Sequence, residues 1–164
     1  MSDSGRITAQ KLQDLQGFRL ALGTLLQSAR RHLSIFSHEL TRPLYHDPRI
    51  EQLLSGFARR SRDSRVRILV CDSQAVAQRF HRVLALTHKL GTHIKIRRIQ
   101  AAVEVPEWEF AIADDRHALV REDLDQWLGF LSLDEPLRVR KLSEKFEQAW
   151  CRAAEDPALR RLSL

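Results

Sequence analysis

Trp108-Glu109-Phe110-Ala111-Ile112-Ala113-Asp114-Asp115, continued by His117-Ala118-Leu119-Val120-Arg121, is the stretch that decides how this chain is read. Two short apolar runs flank a pair of aspartates, residues that tolerate turn conformations and bond their own backbone. The pattern predicts a strand, a tight acidic turn and a second strand.

Working outward, Val66-Arg67-Ile68-Leu69-Val70 is the clearest strand in the sequence: β-branched, apolar and short. Leu33-Ser34-Ile35-Phe36-Ser37 precedes it as a second, and His93-Ile94-Lys95-Ile96-Arg97 alternates like a half-exposed strand near a sheet edge. Gln126 to Leu133 adds a short strand or buried loop. Phe18, Leu22, Leu25, Leu26 and Ala29 repeat as one face of a helix. Asp47-Pro48 starts a helix striped by Ile50, Leu53, Leu54 and Phe57, since Asp caps free N–H groups and Pro fits the first turn. Asp72-Ser73 caps a helix faced by Val76, Phe80, Val83, Leu84 and Thr87, which Gly91 stops. A last helix runs from about Pro136 to Ala154 on Val139, Leu142, Phe146, Ala149 and Trp150. The order predicts an α/β fold, a mixed sheet flanked by helices: early crossovers imply parallel strands, the hairpin antiparallel ones. Residues 1–17 read as a flexible lead-in, 18–155 as a single domain and 156–164 as a basic tail.

A chain of 164 residues with 43% hydrophobic residues can bury a core without staples. No apolar run approaches a membrane span and the N-terminus has no signal-peptide core, so a cytoplasmic protein with no membrane partner is expected. Cys71 and Cys151 offer neither a zinc spacing nor a disulfide framework. The net charge is +6, and arginine supplies 22 of the 27 basic residues. Such a surplus attracts phosphate backbones, although arginine bias also follows from genome composition.

Taken together, Ile35-Phe36-Ser37, the Arg65–Val70 strand, His93–Arg97, Phe110–Asp114 and the terminal helix ending Phe146-Glu147-Gln148-Ala149-Trp150 resemble one half of the phospholipase D-like fold. The resemblance spans roughly residues 18–152. Active members carry His-x-Lys-x4-Asp, then a Gly-Ser pair and a nearby Asn. Their His attacks phosphorus, while Lys and Asn neutralise phosphate oxygens. With Asp114 in the motif Asp position, Glu107 takes the His position, Glu109 the Lys, Arg121-Glu122 the Gly-Ser pair and Leu124 the Asn. Carboxylates where a cationic clamp belongs repel phosphate, so the resemblance implies a non-catalytic member, a pseudoenzyme. Family enzymes assemble two motif halves, which implies a homodimer for this single half. The chain is also similar to single-half bacterial domains, some attached to acetyltransferase-like modules. It has no clustered Gly-x-Gly loop for such chemistry, and no cofactor or metal is expected.

Two surfaces remain as sites. Arg59, Arg60, Arg62, Arg65 and Arg67, with Arg97 and Arg98 across neighbouring strands, form the densest basic patch and the candidate phosphate contact. It lacks the interleaved aromatics of a base-stacking platform. Glu104, Glu107, Glu109, Asp114 and Asp115 form an acidic cluster that reads as an oxygen-ligand site, a dock for a basic protein, or a solvated turn; Glu107 and Glu109 would share a strand face. His81 and His88 read as exposed polar residues of one helix. His117 reads as able to pair with a carboxylate, but no nucleophile stands beside it. Ser37-His38-Glu39 cannot form a triad, because consecutive residues lack its geometry. Tyr45 and His46 read as anchors of a loop near the old cleft. The expected function is a module binding nucleic acid or another phosphate-bearing ligand; the alternative is a protein-interaction module using the acidic former site or a dimer face.

Overall fold

The structure, a computed structural model, describes residues 9–78, 81–100 and 107–160. The strands are β1 (Ala9–Leu12), β2 (His32–Phe36), β3 (Arg65–Val70), β4 (Ile94–Arg98), β5 (Glu109–Ala113), β6 (His117–Arg121) and β7 (Gly129–Ser132). The helices are α1 (Leu15–Ser28), α2 (Arg42–Tyr45), α3 (Pro48–Arg60), α4 (Ser73–Ala77), α5 (Arg82–Lys89) and α6 (Pro136–Arg152). All seven strands join one sheet in the order β1-β7-β6-β5-β2-β3-β4. The β2, β3 and β4 strands are parallel, because helices return the chain between them. The remaining pairings, from β2–β5 outward to β1, are antiparallel.

Period-two alternation divides the core between the two faces. Leu33, Ile35, Val66, Ile68, Ala111 and Leu119 face the large layer that contains residues of α1 to α5. Phe36, Leu69, Phe110, Ile112 and Val120 face the other way, under Val139, Phe146 and Trp150 of α6. A single helix cannot cover a seven-stranded face, so the β3–β4 end of this second face stays open to solvent. Gly129 is needed by close approach: a Cβ there would lie 1.8 Å from the Val120 carbonyl oxygen.

Four expectations are corrected. Residues 9–12, read as lead-in, pair with β7, and α1 starts at Leu15 because Asp14 accepts from the Gly17 N–H at 2.7 Å. The helix expected from Ser73 to Gly91 is two helices. His81 interrupts it by capping α5 through its own ring, so His81 is buried rather than exposed. His88 is half-buried and hydrogen-bonds the Leu159 carbonyl at 2.8 Å. The segment read as a basic tail is docked as far as Arg160: Ala154 bridges Arg98, Asp156 accepts from Ser73, and Leu159 is buried. Phe80, Glu104 and Arg161 lie outside the described residues.

Candidate functional site

The hairpin register places Glu109, first in β5, directly opposite Arg121, last in β6. Alternation turns both side chains to the α1–α5 layer, where the end of β2 brings in Ser37. The Glu109 carboxylate accepts from Ser37 Oγ at 3.0 Å and from the His38 N–H at 2.8 Å. Arg121 Nη1 donates to its other oxygen at 3.4 Å. The rest of the guanidinium donates to the carbonyls of Gln126 (2.9 Å) and Leu124 (2.8 Å) and lies 3.9 Å from the Trp127 ring centre. The pair is closed off, with side chains 9% and 6% exposed for Arg121 and Glu109. Phe18, Leu44, Tyr45, Phe110 and Leu119 leave only about 10 Å³ beside it, room for at most one water. Burial drives the Tyr45 phenol upward, Glu109 reinforcing and Arg121 opposing, so it stays protonated at neutral pH.

The other positions assigned by the resemblance lie elsewhere. Glu107 precedes β5 and is exposed, so it does not share a strand face with Glu109. Glu122 is also exposed, and Leu124 contributes only its backbone carbonyl to Arg121. Asp114 lies five residues beyond Glu109, about 16 Å along the strand direction. It adopts a left-handed φ of 54°, which aspartate tolerates. Its carboxylate accepts from the N–H groups of Arg30 (2.8 Å), Arg31 (2.8 Å) and His32 (3.0 Å). Burial alone would raise its pKa, but these three donors outweigh it and hold the carboxyl below its ordinary value. Asp114 thus ties the chain between α1 and β2 to the hairpin turn.

The described members of the acidic cluster therefore do not come together. Glu109 is buried and paired, Asp114 is occupied by backbone, Asp115 accepts from Ser143 at 2.9 Å, and Glu107 is exposed. No group of three His, Cys, Asp or Glu side chains suited to a metal occurs among the described residues. His117 Nδ1 accepts from the Asp134 N–H at 2.8 Å, so backbone occupies the lone pair that a base would use. Burial pushes the half-buried Cys71 thiol up to about 11, which removes thiolate character at neutral pH.

The seven arginines chosen from sequence fall into three groups. Arg65, Arg67 and Arg97 line an open groove of about 630 Å³ together with Lys95, His88, His93 and Arg160. Arg59 and Arg60 end α3 and Arg62 follows in the loop; Arg60 donates to the Ala29 carbonyl at 2.9 Å. Arg98 alternates to the opposite side of β4, with Nε 3.0 Å from Asp156. Because β2 and β3 run parallel, Arg60, Arg65 and His32 gather where those strands begin, the end that Asp114 fastens. Glu109 and Arg121 lie at the other end. Among the motif positions, Asp114 thus lies at the basic end, while Glu109 and Arg121 occupy a different part of the molecule. Lys95 was legible as a groove residue, since it alternates onto the face of Arg97; Arg160 and His88 depend on the docked C-terminal segment and left no local signal.

Inside the groove, Arg67 donates to both oxygens of Glu147 (2.6 and 2.8 Å). Its guanidinium lies 5.1 Å from the Phe146 ring centre. Arg97 lies 4.3 Å from the Trp150 ring centre and donates to the Trp150 carbonyl at 3.0 Å. Arg65 donates to the carbonyls of Arg62 and Ser64. Carbonyl partners orient Arg65 and Arg97 without neutralising them, whereas Glu147 neutralises Arg67; the groove's five Lys and Arg side chains thus face three carboxylates, Glu147, Glu155 and Asp156, and keep a smaller positive excess.

Comparison with solved structures gives the fold. The archaeal chromatin protein TrmBL2, described as showing a novel mode of DNA binding, aligns with a TM-score of 0.68 at 13% identity. That alignment covers 94% of this chain and 56% of TrmBL2, so the chain spans little over half of that protein. Nuc from Salmonella typhimurium, a phospholipase D family member, aligns at 0.65 with 12% identity over 90% of this chain and 97% of its own. Phosphatidylserine synthase from Haemophilus influenzae aligns at 0.64 with 13% identity, over 95% of this chain and 41% of its own. A search of curated proteins finds no significant match. At these identities the likeness establishes a phospholipase D-type fold. A family model described as Domain of unknown function (DUF7931) matches residues 14–162, nearly the whole chain, and the chain belongs to that family.

Proposed function

We propose that this chain is a non-catalytic module of phospholipase D-type fold that binds nucleic acid or another phosphate-bearing ligand on its basic β3–β4 face. The observation that carries this reading is the separation of two sites. At the motif end, a carboxylate stands where the resemblance puts a phosphate-clamping lysine, and Arg121 is turned inward against it. At the β3–β4 groove, cations are in excess and reach solvent. Cationic side chains on an open surface attract polyanions through counterion release. The described DNA binding of TrmBL2, a protein sharing this fold, gives nucleic acid precedence among phosphate-bearing ligands. Use of the acidic former site as a dock is disfavoured by the burial of Glu109.

The test is retention of a labelled oligonucleotide at low salt, followed by recovery of the oligonucleotide. Bound, intact nucleic acid is expected, with binding lost in R65Q/K95Q/R97Q. Cleavage abolished by Glu109→Gln, or binding untouched by the triple substitution, would overturn the reading. Light scattering on the same protein tests the homodimer that the family resemblance implies.

A further inference from the structure

Resting on the reading of this face as a phosphate-binding surface, we propose that Arg67 is a phosphate subsite and that Glu147 fills it as an intramolecular competitor, which the ligand displaces. Ser34 of β2, Arg67 of β3 and Lys95 of β4 form one row across the sheet. Alternation turns that row to the face on which α6 lies, with Arg67 in the middle. Its guanidinium is positioned before any ligand arrives. The Phe146 and Trp150 ring centres lie 5.1 and 5.5 Å away, and Nη2 is 3.4 Å from Ser34 Oγ. Aromatic faces and a hydroxyl orient the cation and leave its charge in place.

The Glu147 carboxylate takes the place that an anion would occupy on this guanidinium. Both of its oxygens accept from one nitrogen, Nη1, at 2.6 and 2.8 Å. The two-nitrogen fork that makes arginine pairs with carboxylate or phosphate strong is therefore not engaged. The Glu147 side chain is 53% exposed, and an exposed ion pair shifts an equilibrium by up to about fivefold. A contact of that size lowers the affinity of an incoming phosphate without barring it.

The surroundings give the displaced carboxylate room. Arg67 lines the basic groove and also a second open groove, of about 640 Å³, beside the earlier turns of α6. Glu147 lines the second groove, so on leaving Arg67 it stays over open space on an exposed helix face. Charge marks Arg67 as the boundary. In the second groove three carboxylates, Asp115, Glu144 and Glu147, stand against Arg140 and the shared Arg67. A polyanion drawn to Arg65, Lys95 and Arg97 thus meets its last cation at Arg67, where Glu147 competes for it. The subsite is complete only in the fraction of molecules whose Glu147 has swung away, and the apparent affinity falls by that fraction.

The experiment is fluorescence anisotropy of a labelled mixed-sequence DNA duplex from about 50 to about 200 mM salt, repeated with inorganic polyphosphate as competitor. Glu147→Gln is expected to tighten binding about three- to fivefold. Glu144→Gln removes an equal charge one turn earlier on α6 and is expected to tighten it less than about twofold. In an Arg67→Gln background, Glu147→Gln is expected to gain no more than Glu144→Gln does, a non-additive cycle. Adding Arg67→Gln to Glu147→Gln is expected to flatten the slope of log K against log salt by about 0.9, one phosphate contact. A gain shared by polyphosphate assigns the subsite to phosphate itself, and a gain confined to DNA assigns it to the nucleic-acid backbone; both support the competitor. A gain in Glu147→Gln no larger than in Glu144→Gln, or one that persists without Arg67, would overturn it and leave the phosphate-binding reading standing. Absence of binding by the wild type and by Glu147→Gln at the lowest salt, with both folded by circular dichroism, would overturn both.

Discussion

Arg121→Met is the substitution that most sharply probes the closed motif end. The structure holds the guanidinium 3.4 Å from Glu109, with both side chains under a tenth exposed. At that separation and an effective dielectric near 20, the attraction is about 5 kcal/mol, offset in the wild type by the desolvation of both ions. Removing the cation alone takes away the attraction and keeps the carboxylate's desolvation. Among the described residues, Ser37 Oγ and the His38 N–H remain as its donors. The expected loss is about 3–5 kcal/mol of unfolding free energy. In the double variant Glu109→Gln/Arg121→Met, the amide oxygen still accepts from Ser37 and His38 and no ion is left behind. The double variant should therefore be more stable than Arg121→Met alone by about 2 kcal/mol, a strongly non-additive cycle. Urea unfolding at pH 7, with linear extrapolation, measures all three. A loss below about 1 kcal/mol for Arg121→Met, or additive single effects, would show that the pair is solvated and the site open.

Three further outcomes follow from the same geometry. His81 is neutral in the fold: burial lowers its pKa to about 4, Nδ1 accepts from the Val83 N–H, and Nε2 bonds the Leu40 carbonyl. Its folded pKa lies below its unfolded value near 6.5, so its contribution is complete above pH 6.5 and is lost as the pH falls towards 4. About 2 kcal/mol should disappear between pH 7.5 and pH 5, and His81→Asn should flatten that dependence in urea titrations at each pH. Asp114→Ala should cost about 2–4 kcal/mol, because three backbone N–H groups lose a charged acceptor; Asp114→Asn, which tolerates the left-handed φ, should cost less. Its lowered pKa adds stability that is present above pH 4 and lost as the pH falls through the folded value, measurable as a second acid transition absent in the Ala variant. Gly129→Ala should cost about 3 kcal/mol or more, since the added carbon meets backbone rather than a flexible side chain; a thermal midpoint within a degree or so of wild type would contradict this.

The central strands and the longer helices were legible because their signals are local. Val66–Val70 carries β-branched apolar residues and became β3; Asp47-Pro48 carries a cap and became the start of α3. The strand β1 was not legible, since only Leu12 faces the core and a four-residue edge strand gains its hydrogen bonds from a distant partner. The break at His81 was hidden because the apolar residues on either side continue one helical stripe. At the site, the glutamate at position 109 was legible where the resemblance expects a lysine, and the structure buries its carboxylate against Arg121. What sequence could not supply was the partner: Glu109 and Arg121 are twelve residues apart and meet only through hairpin register. Counting charges along the sequence likewise merged Arg59, Arg60 and Arg62 with Arg65, Arg67, Arg97 and Arg98. Strand alternation separates Arg97 from Arg98, and the register aligns Arg67 with Lys95.

The account stands on the claim that any phosphate-bearing ligand is held at the β3–β4 face and not at the motif end of the hairpin. Backbone amide shifts recorded by heteronuclear NMR while a short single-stranded oligonucleotide is titrated into the protein address this directly. The account predicts shift changes concentrated at Arg65, Arg67, Lys95, Arg97 and the Trp150–Arg160 segment, with Ser37, His38, Glu109 and Arg121 unmoved. Changes centred on Ser37, His38, Glu109 and Arg121 would contradict it.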